Sequence, residues 1–179
     1  AIGDNLHTVN YRHVQLDMAN NTVRFLRPGV RINLGGIAKG YSVEQVIALL
    51  GEQGIAHASA TAGGDTRILG DRRGVPFIIG IRHPDETDGI VTRLPIIDEA
   101  VSTSGDYERF FLEDGARYHH ILDPASGLPT EGVRSVTILG PDGTMTDGLS
   151  TSVVVLGVSA VLHQSDSMPA CLSVISDAD

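Results

Sequence analysis

Apolar and polar residues alternate over Arg12–Met18 and again over Thr22–Leu26. That pattern predicts two hairpin strands joined by the turn formers Ala19-Asn20-Asn21. Val30–Leu34 reads as a further strand that runs straight into Gly35-Gly36. The period then changes. Apolar residues at 37, 41, 43, 46, 47 and 50 mark one helical face over Ile37–Leu50, closed by Gly51 or Gly54. Strand-like runs follow at Ala56–Ala62, Thr66–Leu69, Phe77–Arg82 and Val91–Ile97, with turns at Asp71–Gly74 and Pro84–Gly89. Ala100–Ser104 and Glu108–Leu112 are expected to pair with Tyr118–Leu122, the last hairpin turning at Asp114-Gly115. Val133–Leu139 predicts a strand that ends at Pro141-Asp142-Gly143. Asp147–Leu162 predicts a second long helix despite its β-branched residues, and Ala170–Ile175 a last strand.

Two helices against many antiparallel strands describe an α+β domain of two layers, with a mostly antiparallel sheet. The 179 residues fit one domain, and neither a linker nor a low-complexity tract divides them. Hydrophobic residues make up 41% and charged residues 20%, a globular profile. The net charge of −9 argues against a nucleic-acid partner, which needs a basic face. An anionic ligand would need a local device: a metal ion, a lysine or a helix N-terminus. The most apolar stretch, Val153–Leu162, is too short to span a bilayer, and Ala1–Val14 has no apolar segment of a signal peptide. The single cysteine, Cys171, lies in an apolar run and reads as an inert core residue.

Lys39 is the only lysine, against twelve arginines. An ammonium is a compact, hydrated point charge on a flexible stem, unlike the planar guanidinium fork. Its survival is either chance at an exposed position or a requirement for that point charge. Directly upstream, Gly35-Gly36 leads a strand into a helix. Such a junction either exposes backbone N–H groups to an anion or is simply a tight connection. The glycine order matches neither a phosphate-binding P-loop nor a dinucleotide fingerprint.

Three further segments carry candidate chemistry. Asp147 and Thr151 are four apart, so a helix places both oxygens on one face, a donor pair suited to Mg²⁺; alternatively, Thr146 or Asp147 only caps the helix. His119 and His120 are adjacent and on a strand must face opposite sides, and no zinc-type spacing accompanies them. Asp65, Asp106 and Tyr107 follow strand ends rich in glycine, where they either contact a ligand or stabilise turns.

Five ordered segments, Leu34–Tyr41, Gly63-Gly64-Asp65, Ser102–Tyr107, His120–Gly127 and Asp147–Gly157, together resemble the ApbE family of FAD:protein FMN transferases. The resemblance implies two T-fold-like halves and a Mg²⁺-dependent reaction. FMN would pass from FAD to a threonine hydroxyl of an acceptor protein and AMP would leave; the alternatives are a FAD diphosphatase or a non-catalytic FAD-binding module. By position it implies Gly36, Asp147, Ser150 and Thr151 as metal ligands. Asn33, Lys39, Gly105, Tyr107 and the backbone near Ile121 would contact FAD. His120 and Asp147 would be the catalytic residues. A periplasmic or cell-envelope location is implied by the resemblance alone.

Three departures stand out. Asn33 replaces an acid found in many relatives, and Ser150 an acid found in some. Family members also carry a long stretch before the segment matching Tyr11 that helps wall the FAD site. A chain without it is expected to be a fragment, the product of a truncated gene, or one half that needs a second copy or a partner chain.

Overall fold

The computed structural model describes residues 3–86, 88–158 and 171–175, the last of these as backbone alone. Two short 3₁₀ turns, Gly3–Thr8 and Tyr11–His13, precede a hairpin of β1 (Val14–Asp17) and β2 (Thr22–Phe25). Its registers pair Val14 with Phe25 and Asp17 with Thr22, as the alternation predicted. Then come α1 (Ala38–Glu52), β3 (Ala58–Ala62), β4 (Asp65–Leu69), β5 (Phe77–Arg82), β6 (Ile90–Ile96) and β7 (Ala100–Gly105). β8 (Phe110–Glu113) and β9 (Ala116–His119) form a hairpin, followed by β10 (Ser135–Gly140), α2 (Gly143–Leu156) and β11 (Cys171–Ile175).

The centre is a five-stranded antiparallel sheet in the order β11-β10-β7-β4-β3. Both helices pack on one face, α1 over β3 and β4, α2 over β7 and β10, and the helices touch each other. Ile68 of β4 and Val101 of β7 point to the opposite face and form a core with Ile81 and Ile96 of the β5–β6 hairpin. The α+β class with antiparallel sheets and two long helices therefore holds. Because the strand period is two, each strand sends alternate residues to the helices. Those residues differ sharply across the sheet: Asp65 and Arg67 on β4, Ser102 and Ser104 on β7, but Val136 and Ile138 on β10.

Three expectations need correction. Val30–Leu34 is not a strand: the segment has no partner among the described residues, and only Val30 is buried. Ala100–Ser104 pairs with β10 and β4, not with Tyr118–Leu122. The local hairpin partner of β9 is β8 alone, closed at Asp114-Gly115 as predicted, which leaves β7 free for long-range pairing. The second helix starts at Gly143, not Asp147. The Asp142 side chain accepts the Met145 N–H at 2.7 Å, so the predicted turn is itself the cap. Residues 159–162 of the predicted helix lie outside the described residues, as does the side chain of Cys171.

Candidate functional site

The two helices meet at glycines. A Cβ on Gly40 would stand 2.0 Å from the Gly143 carbonyl oxygen and 2.6 Å from Asp147 Cβ, so only glycine permits this approach. A Cβ on Gly143 would in turn sit 2.8 Å from the Gly40 oxygen. The contact brings the Gly40 N–H within 2.9 Å of Asp147 Oδ2, a buried hydrogen bond between the helices. Glu44, one helical turn beyond Gly40, accepts the Gly143 N–H at 2.7 Å and pairs with Arg67 at 3.1 Å. The start of α2 is thereby held by a carboxylate from α1, where the helix dipole favours negative charge.

Lys39 reaches the same place. Its Nζ pairs with Asp65 Oδ2 and lies 3.7 Å from Asp147 Oδ1. Asp65 and Asp147 are almost wholly buried, whereas the Lys39 side chain is 41% exposed. Burial holds the Asp65 carboxyl above its ordinary range, outweighing the Lys39 ammonium that pulls it down; the Asp147 charge adds to the rise. Asp65 Oδ1 is buried without a hydrogen-bond partner; the nearby Ser102 hydroxyl, 2.8 Å from Thr146 Oγ1, pulls the Asp65 pKa down but less than burial raises it.

Next along α2, Ser104 Oγ lies 2.8 Å from Ser150 Oγ and 3.0 Å from Thr151 Oγ1. Ser150 is fully buried and also donates to the Asp147 carbonyl. Gly36 lies against Thr151: a Cβ there would be 3.9 Å from Thr151 Oγ1. An open cleft of about 490 Å³ runs beside this point, lined by Asn33, Gly36, Ile37, Gly148, Leu149 and Thr151 among others.

Of the residues singled out from sequence, the structure thus gathers Asn33, Gly36, Lys39, Asp147, Ser150 and Thr151 around the helix pair. Asn33 is exposed and bonded to its own turn, its Oδ1 accepting the Gly35 N–H at 2.7 Å. The Ile37 and Ala38 N–H groups bond to the Leu34 carbonyl, so fewer amides of this turn face outward than expected. Neither Thr146 nor Asp147 caps the helix, which removes that alternative; Asp142 has the role.

The other candidates sit apart. Gly105 and Tyr107 pack on each other, since a Gly105 Cβ would fall 2.4 Å from the Tyr107 ring, and burial raises the Tyr107 hydroxyl pKa. Asp106 is held by Arg134 Nε at 3.0 Å from Oδ1 and by Arg117 at 3.4 Å, a structural ion-pair group. The histidine pair divides as strand geometry demands. His119 is buried, its Nε2 2.9 Å from the Thr130 carbonyl, and His120 is exposed. Among the described residues His120 has no hydrogen bond or ion pair to the Lys39–Asp147 group. Ile121 buries its side chain against Val153 and Val154; its N–H bonds His119 and its carbonyl accepts from Thr130. Sequence reading missed Gly40, Gly143 and Glu44. The legible signal was a glycine inside a helical pattern, where alanine would be favoured by about 1 kcal/mol unless a backbone must come close.

The ApbE family model matches residues 1–174. The chain belongs to the ApbE family. The FAD:protein FMN transferase of Rhodobacter capsulatus is 39% identical over 144 residues, 79% of this chain and 27% of that protein. The enzyme of the same name from Klebsiella pneumoniae is 36% identical, over 89% of this chain and 50% of its own length. Among solved structures, the ApbE protein of Thermotoga maritima superposes with a TM-score of 0.88 at 40% identity, over 98% of this chain and 58% of that one. The flavin transferase ApbE of Vibrio cholerae gives 0.86 at 31% identity, over 99% and 57%. The chain spans between about a quarter and a half of the length of these two curated relatives.

Proposed function

We propose that this chain carries the diphosphate- and metal-binding part of a FAD:protein FMN transferase. The observation that carries the reading is the convergence of Lys39 Nζ and Asp147 Oδ1, 3.7 Å apart, at the glycine contact between the helices. Nothing in ordinary packing calls for two buried carboxylates and a half-exposed ammonium here, since unbalanced buried charge costs more than it returns.

In the proposed reaction the Oγ of an acceptor threonine attacks the phosphorus of the FMN moiety. The bond from that phosphorus to the bridging oxygen breaks, AMP leaves with the bridging oxygen, and the hydroxyl proton is released. Lys39 would hold the diphosphate oxygens and offset the negative charge that builds as AMP departs. His120, exposed on the chain after β9, would orient a phosphate or accept the hydroxyl proton. The apolar walls of the cleft, Leu34, Ile37, Met145 and Leu149, offer a surface for a flat ring beside that diphosphate.

The donor set fits Mg²⁺. Among the described residues no three His, Cys, Asp or Glu side chains converge as in a zinc centre. What is available is oxygen only: Asp147, the Thr151 hydroxyl and the Gly36 carbonyl, with substrate phosphate and water to complete the shell. When bound there, Mg²⁺ would neutralise phosphate charge and hold the diphosphate in line.

Incubating the protein with FAD, Mg²⁺ and a threonine-bearing acceptor protein should give a covalent flavin adduct and one AMP for each adduct. Neither adduct nor AMP would end the proposal. Free FMN and AMP without adduct would instead identify a diphosphatase. FAD binding without turnover would identify a non-catalytic binding module, a reading favoured by Asn33 being bound to its own turn.

A further inference from the structure

We infer that Asp65, with the Gly63-Gly64 turn before it, is a positioning seat for Lys39, holding the ammonium on one side so that its other side faces the diphosphate. The inference rests on the reading of the site given above and assigns a role to residues that the reading leaves unused.

A lysine stem has four rotatable bonds and, alone, would spread its charge over a wide arc. Here it is constrained twice, from one hairpin. The Lys39 Nζ meets Asp65 Oδ2, and Asp65 is 0% exposed while Lys39 is 41% exposed. One side of the ammonium is therefore sealed by Asp65, Asp147 Oδ1 stands farther off at 3.7 Å, and the side chain as a whole keeps an exposed side. The stem also lies against the turn: a Cβ at Gly63 would stand 3.0 Å from Lys39 Cδ, a contact the stem would have to shift to relieve. Gly63 and Gly64 adopt φ of +53° and +98°, which brings the chain back so that Asp65 pairs with Ala62 directly after the turn.

The Asp65 carboxylate is poorly explained by stability. Its Oδ1 has no hydrogen-bond partner, and its desolvation is only partly offset by a half-exposed ammonium. Compare Asp106, whose carboxylate is held by both Arg134 and Arg117. Elsewhere on this sheet the buried acid–base pairs use arginine, as in Arg67–Glu44 and Arg134–Asp106. At Asp65 the cation is a lysine, whose point charge can serve the carboxylate on one side and an anion on the other.

Because Lys39 is the sole lysine, lysine labelled with ¹³C at Cε gives one NMR signal that reports on it alone. In the folded protein that signal should be displaced from its position in the urea-unfolded chain, and Asp65→Asn should return it most of the way. Superimposable signals in the folded and unfolded chain would overturn the seat without any substitution. The second arm measures FAD affinity with Mg²⁺ for the wild type, Asp65→Asn, Lys39→Ala and the double variant. Asp65→Asn should weaken binding by about ten- to a hundredfold, the worth of a charge-assisted contact. It should add nothing once Lys39 is alanine. Independent, multiplying losses would show that Asp65 does not act through Lys39 and would overturn the inference. An Asp65-dependent signal with FAD affinity unchanged in every variant would instead remove the flavin reading, leaving the ion pair as structure only.

Discussion

The helix-facing side of the central sheet is built in two ways. Under α2, β10 contributes Val136 and Ile138, which pack with Val153, Val154 and Ile121 into a dry core. A few ångströms across the same sheet, β4 and β7 contribute Asp65, Arg67, Ser102 and Ser104, all buried or nearly so. The first region behaves as a core should, with apolar area removed from water and no polar atom to satisfy. The second spends stability on charge, and leaves one carboxylate oxygen unpartnered. Proteins accept such costs where a ligand makes use of them, so the proposed binding site falls on the polar half and the apolar half supports it.

Substitutions can separate the two halves. The largest effect on stability is expected from Ile138→Ala, in the apolar half, at about 2–5 kcal/mol in urea unfolding. FAD affinity of the folded protein should be unchanged; a matching loss of affinity would mean that the halves are not separable. Gly40→Ala strikes the seam, where the new methyl would meet the Gly143 carbonyl. Forcing the helices apart should cost about 1–3 kcal/mol, despite the better helix propensity of alanine, and should weaken FAD binding as well.

Asp147→Ala leaves the Gly40 N–H buried without its acceptor, a cost of about 1–3 kcal/mol, and should abolish Mg²⁺-dependent turnover of FAD. Unchanged Mg²⁺ affinity in a less stable protein would reduce Asp147 to an interhelical bond. Lys39→Arg should leave melting nearly unchanged yet lower FAD affinity almost as much as Lys39→Ala. A planar guanidinium fork directs its donors differently from a compact ammonium and should not present its charge to Asp65 and the diphosphate in the same way.

The smallest effect belongs to Asp123, in the turn that follows His120. The Ala125 N–H, at 2.9 Å from Oδ1, and the Ser126 hydroxyl hold its pKa below the usual 3.8. A carboxylate depressed in the folded state stabilises above its unfolded pKa, and that contribution fades as pH falls through the folded value. The melting difference between wild type and Asp123→Ala should therefore be full at neutral pH and vanish in acid below the ordinary carboxylate range. A difference constant down to that acid range would show that the turn is held by something other than the ionised carboxylate.

Much of this was legible in the chain, and unevenly so. The hairpins over Val14–Phe25 and Phe110–His119 followed from alternation and turn residues, because their pairing is local, as did the two strands and the turn that form the Phe77–Ile96 hairpin. So did α1 and the nearness of Lys39 to its start. The pairing of β7 with β10 and β4 was not readable: each partner lies about thirty residues away, and alternation names no partner. The absence of a strand at Val30–Leu34 was equally hidden, since its apolar residues look the same with or without a neighbour.

For the site, local pattern supplied the chemistry and tertiary contact supplied the address. A single lysine, an acid and a threonine one helical turn apart, and the glycine pairs were visible as residue types with a stated use. That Lys39 and Asp147, more than a hundred positions apart, stand 3.7 Å from each other was decided only when Gly40 met Gly143. The same packing turned Asp142 into the helix cap, freed Asp147 for the neighbouring helix, and separated Asp65 from Asp106, which read alike in the chain. Periodicity reports which face of an element is buried. What lies opposite that face, and therefore whether a buried acid is a strut or a binding group, depends on chain closure over distances that no local pattern encodes.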